Sequence, residues 1–209
     1  MLDLLFPPRC AGCGRGGHWL CPACLEAISP PPLRLEAPEP LADLWVAGLY
    51  DHPLDLAIHA LKYEGKRRLA EPLGRLLAET YRCEIKSRRP PDAVLPVPLH
   101  ARRQAERGYN QSSLLARVLS REVGLPLVED ALHRARDTPH QVGLSAGQRR
   151  KNVSGAFVCA PGHPLVVGRR LLLLDDVCTT GATISACAQA LLGAGASQVW
   201  GLVLARQML

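Results

Sequence analysis

Residues Leu171 to Thr183 read LLLLDDVCTTGAT, and the class of fold follows from this stretch. Four consecutive leucines suit a strand covered on both faces, as in a parallel sheet, better than one with a wet side. Asp175 and Asp176 come where that strand runs out. A hydroxyl-rich turn with one glycine then leads into TISACAQALLGAGA, a predicted helix that starts near Ile184 and closes on Gly193 and Gly195. QVWGLVLAR follows as a second buried strand. Strand, helix and strand in that order make a parallel βαβ unit in an α/β fold, whose ligands bind beyond the carboxyl ends of the strands.

The turn has the chemistry of a phosphate cradle. Thr179, Thr180 and Thr183 offer hydroxyl donors, Gly181 lets the backbone direct N–H groups inward, and the helix that follows adds its positive end. Asp175 and Asp176, expected at the solvent end of the strand, would repel a phosphate. They suit neutral hydroxyls or the organisation of a hydrated magnesium ion. Cys178 falls where the loop needs only a small side chain. A plainer alternative has the acids ending a strand and the threonines capping a helix. A monophosphate cradle beside two hydroxyl-seeking carboxylates describes a ribose 5-phosphate site, and here the sequence resembles the type I phosphoribosyltransferases, whose signature is an apolar strand, two acids and a Thr-Thr-Gly-x-Thr loop. A G-x4-G-K-[ST] loop and a strand-borne G-x-G-x-x-G are both lacking, which disfavours nucleotide hydrolysis and nicotinamide binding.

Upstream, LVVGRRLLLLDDV reads as one buried strand from Leu165. The chain before it yields a strand over Leu44–Tyr50, a helix over Leu54–Tyr63, and a helix whose apolar face is Leu69, Leu73, Leu76, Leu77 and Tyr81. A short strand follows in Asp92–His100, limited by Pro96 and Pro98, then a helix over Asn110–Val123 capped by Asn110 or Ser112. Residues 134–154 show no sustained period and read as a functional loop. Residues 30–40, PPPLRLEAPEP, hold five prolines and read as a stiff linker. The predicted organisation is a head at 1–28, a linker at 29–40 and a main domain at 41–209.

The head contains CAGCGRGGHWLCPAC, a C-x2-C-x7-C-x2-C pattern of Cys10, Cys13, Cys21 and Cys24. Two such knuckles bring four thiolates together, and soft sulfur in a tetrahedron favours zinc. Paired disulfides and an iron–sulfur cluster are the alternatives. His18 is a candidate substitute ligand. So short a segment cannot bury a core of its own, so a metal would supply much of its folding free energy.

The chain has 209 residues, 47% hydrophobic and 21% charged, which excludes disordered and fibrous classes. No apolar run approaches a membrane span. The start, MLDLLFPPRC, lacks the basic first segment of a signal peptide, so the expected location is cytoplasmic. The other cysteines, Cys83, Cys159, Cys178 and Cys187, are scattered. The net charge is +6, and residues 101–155 carry ten Arg/Lys against five Asp/Glu, so +5 of it lies there. An anion is expected near that stretch, be it nucleic acid, an acidic protein face or a phosphorylated small molecule.

Two basic stretches, LKYEGKRRLAEPLG (with Lys62) and VPLHARRQAERGYNQSSLLA (with Arg102, Arg103 and Arg107), precede RARDTPHQVGLSAGQRRKNVSGAF. With the Cys head these segments, in this order along the full chain, resemble the ComF family of competence-associated proteins, which also includes GntX-type members. The resemblance implies a zinc-ribbon head joined to a mainly parallel, type I phosphoribosyltransferase-like α/β domain. It implies phosphoribosyl pyrophosphate (PRPP), with Mg2+, as ligand of Lys62 and of Asp175, Asp176, Val177, Cys178, Thr179, Thr180, Gly181, Ala182 and Thr183. Asp175, Asp176, Arg102 and Arg107 are the catalytic candidates. By the same analogy the turn after Val97 corresponds to a pyrophosphate loop and Arg134–Asn152 to a hood over the site. A role in natural transformation further implies a helicase and single-stranded DNA as partners, either beside transferase chemistry or, in the alternative reading, as the targets of a non-catalytic binding module. Tyr63, Tyr81 and Tyr109 are few for a base-stacking surface.

Overall fold

The computed structural model describes residues 7–31, 36–86, 90–137 and 146–208. In chain order the elements are α1 (Pro22–Glu26), β1 (Leu44–Leu49), α2 (Leu54–Tyr63), a 3-10 turn (Arg67–Leu69), α3 (Ala70–Thr80) running into a π turn (Tyr81–Ile85), β2 (Ala93–Pro96) and α4 (Ala101–Arg107). They continue with α5 (Gln111–Val123), β3 (Leu132–Arg134), α6 (Ala146–Val153), β4 (Phe157–Cys159), β5 (Arg170–Cys178), α7 (Ala182–Gly193) and β6 (Gln198–Arg206). One sheet has the order β1-β6-β5-β2 with every pair parallel. β3 and β4 form a separate antiparallel pair.

The leucines of β5 explain its central place. Leu172 and Leu174 enter one apolar cluster with Leu54, Ile58, Leu61, Leu73 and Leu115, whereas Leu171 and Leu173 enter the other with Leu95, Ile184 and Leu191. All four are fully buried, each contributing about 1.5–3 kcal/mol of apolar burial. The alternation of side chains thus feeds two cores, one on each face. Because the pairs are parallel, the carboxyl ends of all four strands share one edge, where Tyr50, Val97, Asp176–Thr180 and Arg206 gather.

Several boundaries differ from expectation. β5 begins at Arg170, not Leu165, because residues 161–168 form turns that include Gly168 at φ +70°. β2 stops at Pro96, and the next residues turn toward α4. α7 starts at Ala182, two residues before Ile184. Asn110 caps α5, its side chain accepting from the Ser112 N–H. Residues 134–154, expected as an irregular loop, hold the end of β3 and the whole of α6. α6 lacks an apolar stripe, so no period marked it in the sequence, yet it packs on α7 and buries Val153. Within the expected hood, 138–145 lie outside the described residues, as do 32–35 of the Pro-rich stretch and 1–6 of the head.

The Cys head packs directly on the main fold. Cys10, Leu20, Cys21 and Cys24 belong to the same apolar cluster as Leu54 and Ile58 of α2, and a side chain at Gly12 would meet the Pro53 Cβ at 2.7 Å. Among the described residues no helix is long and apolar enough to cross a membrane.

Candidate functional site

β5 delivers Asp175 and Asp176 to the carboxyl edge of the sheet, and neighbouring elements seize both. Lys62, near the end of α2, places Nζ 2.7 Å from Asp176 Oδ1, and both side chains are largely buried. Asp175 Oδ1 accepts from the Ser112 hydroxyl at 3.0 Å and from the Asp176 N–H at 2.9 Å. Asp176, only 4% exposed, is therefore not at the solvent end of the strand as expected, whereas Asp175 is half-buried and lines a cavity. Parallel pairing with β6 on one side, and the helices packed over the leucines, extend cover to the strand end.

Burial, then the neighbouring Asp176 charge, pushes the Asp175 carboxyl up to about 7, although Lys62, the Asp176 N–H and Ser112 all pull the other way. Burial acts against the Lys62 ammonium, but the Asp176 carboxylate more than offsets it and holds Lys62 above the usual lysine value. Asp176 Oδ2 and Thr180 Oγ1 are buried without a hydrogen-bond partner. Such groups cost free energy unless something meets them.

A cavity of 50 Å³ lies against Asp175, Val177, Cys178, Thr179, Gly181, Ala182 and Thr183. Gly181 initiates α7 at φ +78°, and a Cβ there would come within 2.5 Å of Pro38 Cγ, so the end of the Pro-rich stretch rests on the loop. A larger space of 490 Å³ adjoins it, bounded by Pro38, Glu39, Ser154, Thr180, Ser185 and Gln189. The Cys178 thiol, raised chiefly by burial, lies 2.8 Å from Arg206 Nη1.

The structure brings Lys62 to the acidic pair but engages the two candidate arginines elsewhere. Arg102 is exposed, 3.0 Å from Glu106 and 3.7 Å from Asp137. Arg107 donates to Gln111 and lies 5.3 Å from the centre of the Tyr63 ring. Ser112, Asn110 and Arg206 were not marked as site residues by the sequence. Ser112 and Asn110 were legible only as helix caps, and Arg206 only as the end of a strand.

In the head the four sulfurs of Cys10, Cys13, Cys21 and Cys24 lie within 4.8 Å of one another. Cys13 and Cys21 Sγ are 3.6 Å apart, too far for a disulfide and close to the edge, about 3.8 Å, of a tetrahedron with zinc–sulfur bonds of about 2.3 Å. Gly14, at φ +75°, closes the first knuckle, and Cys21 precedes α1 with Pro22 opening that helix. Burial works against the Cys10 thiolate, but the backbone groups of Cys13, Cys21 and Gly12 bring its thiol down to about 6. Burial and the adjoining thiols push the Cys24 thiol well above the usual range. Four sulfurs converging at these distances suit a metal site. His18 is exposed and outside the cluster.

Over 93% of its length this chain is 34% identical to competence protein F of Haemophilus influenzae, covering 84% of that protein. The chain belongs to the ComF family. Another ComF relative, DNA utilization protein YhgH of Escherichia coli O157:H7, is 37% identical over 92% of this chain and 87% of its own length. No family model matches the chain. Among solved structures, the glutamine PRPP amidotransferase of B. subtilis is similar at TM-score 0.42 and 23% identity, covering 64% of this chain and 25% of that one. In this ComF chain the α/β fold has a four-stranded, all-parallel sheet with the acidic pair and threonine loop at the end of an interior strand, and the four-cysteine cluster fits a zinc ribbon.

Proposed function

We propose that this protein binds phosphoribosyl pyrophosphate with Mg2+ at the loop from Asp175 to Thr183, carries one zinc ion in the head, and serves DNA uptake from the cytoplasm. The observation that carries the reading is the polar loop at the carboxyl edge, with a cavity against Asp175, Thr179 and Thr183, and with Thr180, whose Oγ1 is buried and unmatched, bounding the larger space next to it. A monophosphate would take the threonine hydroxyls and the amino end of α7. Sugar hydroxyls would meet the carboxylate oxygens, and Lys62 would bring positive charge to the diphosphate. Magnesium would screen the diphosphate charge and arrive with it, because Lys62 already engages Asp176. Residues 1–28, 29–40 and 41–209 serve as head, connector and ligand-binding domain. The names of the relatives, competence protein F and DNA utilization protein, support the link to DNA uptake.

If the site turns over, the bond from the sugar C1 to pyrophosphate breaks, a bond from C1 to an acceptor nitrogen forms, and the acceptor's proton passes to solvent. The cationic sugar of that step needs no protein nucleophile; the protein's part is to hold the diphosphate and exclude water. The alternative is a binding module for single-stranded DNA or a helicase, supported by the +5 surplus over residues 101–155. Calorimetry of the full chain with PRPP and Mg2+ tests the first reading. Thr180→Val should weaken binding about tenfold; undiminished affinity in that variant would remove the loop from the site.

A further inference from the structure

Among the described residues the buried polar and charged side chains are Asn110, Gln111, Ser112 and Asp176. Asn110, Ser112 and Asp176 form one connected system through Asp175. Asn110 Nδ2 donates to the Val97 carbonyl at 3.0 Å, in the turn after β2, while its Oδ1 accepts from the Ser112 N–H at 3.0 Å. The Ser112 hydroxyl donates to Asp175 Oδ1, which also accepts from the Asp176 N–H. Gln111 accepts from Arg107, and Lys62 holds Asp176. A continuous path thus runs from the turn after β2, through the first turn of α5, to the acids at the end of β5.

Helix capping does not account for Ser112. Asn110 alone supplies the cap, for which Ser112 needs only its backbone N–H. In the first turn of α5 an alanine would serve the helix at least as well, and burying a hydroxyl costs free energy unless it finds a partner. Ser112 is fully buried, and its hydroxyl is spent on Asp175.

We propose that Ser112 is a positioning residue: it orients Asp175 and, through Asn110, ties the acidic pair to the turn after β2, so that a sugar phosphate at the loop and a diphosphate at the turn reinforce one another. The ligand half of this proposal rests on the PRPP reading; the positioning half does not.

The experiment uses the full chain as wild type, Ser112→Ala and Ser112→Thr, the last of which keeps a hydroxyl. In the ligand-free protein, amide exchange by NMR follows Asp176 N–H, bonded to Asp175, and Val97 N–H, bonded to the Leu174 carbonyl, against Leu202 in the interior of β6. Ser112→Ala should speed exchange at both Asp176 and Val97 about tenfold and leave Leu202 unchanged, with Ser112→Thr near wild type. A response confined to the first turn of α5 would overturn the proposal. Calorimetry then measures ribose 5-phosphate binding with and without magnesium pyrophosphate. Wild type and Ser112→Thr should gain at least about fivefold from pyrophosphate, and Ser112→Ala should lose that gain. Persistence of the gain in Ser112→Ala would likewise overturn it. Binding of neither ligand by wild type would sink the PRPP reading and the ligand half, leaving the exchange result to judge the positioning role.

Discussion

The Lys62 ammonium sits 2.7 Å from Asp176 Oδ1 and joins the end of α2 to the end of β5. Both groups have given up most of their hydration, so each depends on the other. Removing one partner of such a pair strands a buried charge and costs about 3–5 kcal/mol. Lys62→Met should therefore destabilise the protein by that order, and Lys62→Met combined with Asp176→Asn by clearly less than the sum of the single changes. Urea unfolding of the three variants measures this, and strict additivity would show that the pair is not coupled.

Asp175 makes stability depend on pH in an unusual direction. Its carboxyl is pushed up to about 7, whereas in the unfolded chain it titrates near about 3.9. Between those values the folded protein keeps a proton that the unfolded chain has lost, so this group favours folding at the acid end and its contribution fades as pH rises toward 7. Asp175→Asn cannot ionise. Its stability relative to wild type should improve from about pH 5 to about pH 8, read from urea midpoints across that range. A difference that stays flat or runs the other way would contradict the raised value.

Loss of the metal should unsettle more than the head. Cys10, Cys21 and Cys24 lie in the same apolar cluster as Leu54, Ile58 and Leu61 of α2. Cys21→Ser should abolish stoichiometric zinc by metal analysis and lower the melting temperature of the whole chain in a single transition. Unchanged zinc in that variant would exclude the four-sulfur site, and a separate low-temperature transition would mean that the head unfolds alone.

Gly181 should resist replacement for two separable reasons. Its φ of +78° disfavours any side chain by about 1–2 kcal/mol, and a Cβ would strike Pro38 Cγ at 2.5 Å. Gly181→Ala should be destabilised, with Pro38→Gly in the same chain recovering only the collision, since Pro38 Cβ too would lie 2.8 Å from the added Cβ. Thermal melts of the single and double variants check this; full recovery in the double variant would leave backbone strain no part.

If the basic stretch is a nucleic-acid track, replacing Arg149, Arg150 and Lys151 together should weaken single-stranded DNA binding. The salt dependence should flatten by about 0.7 in log–log slope for each DNA phosphate that the variant leaves unneutralised. Fluorescence anisotropy at several salt concentrations measures it, and an unchanged slope would confine these charges to other work.

The sequence alone determined what is written contiguously. Four leucines, two acids and a threonine turn announce a central parallel strand followed by a turn into a helix, because strand burial and turn chemistry act over a few neighbouring residues. The spacing of Cys10, Cys13, Cys21 and Cys24 is likewise local, since each knuckle closes within one tight turn. α6 is not marked in the sequence because AGQRRKNV carries no repeating apolar face. Only the tertiary structure decided what the acids do. Ser112 and Asp175 stand 63 positions apart, and their contact exists because α5 enters over the end of β5. No periodicity encodes such a meeting. A hydrogen bond between distant residues depends on where whole elements pack, and that is set by the two apolar cores rather than by the polar residues they bring together.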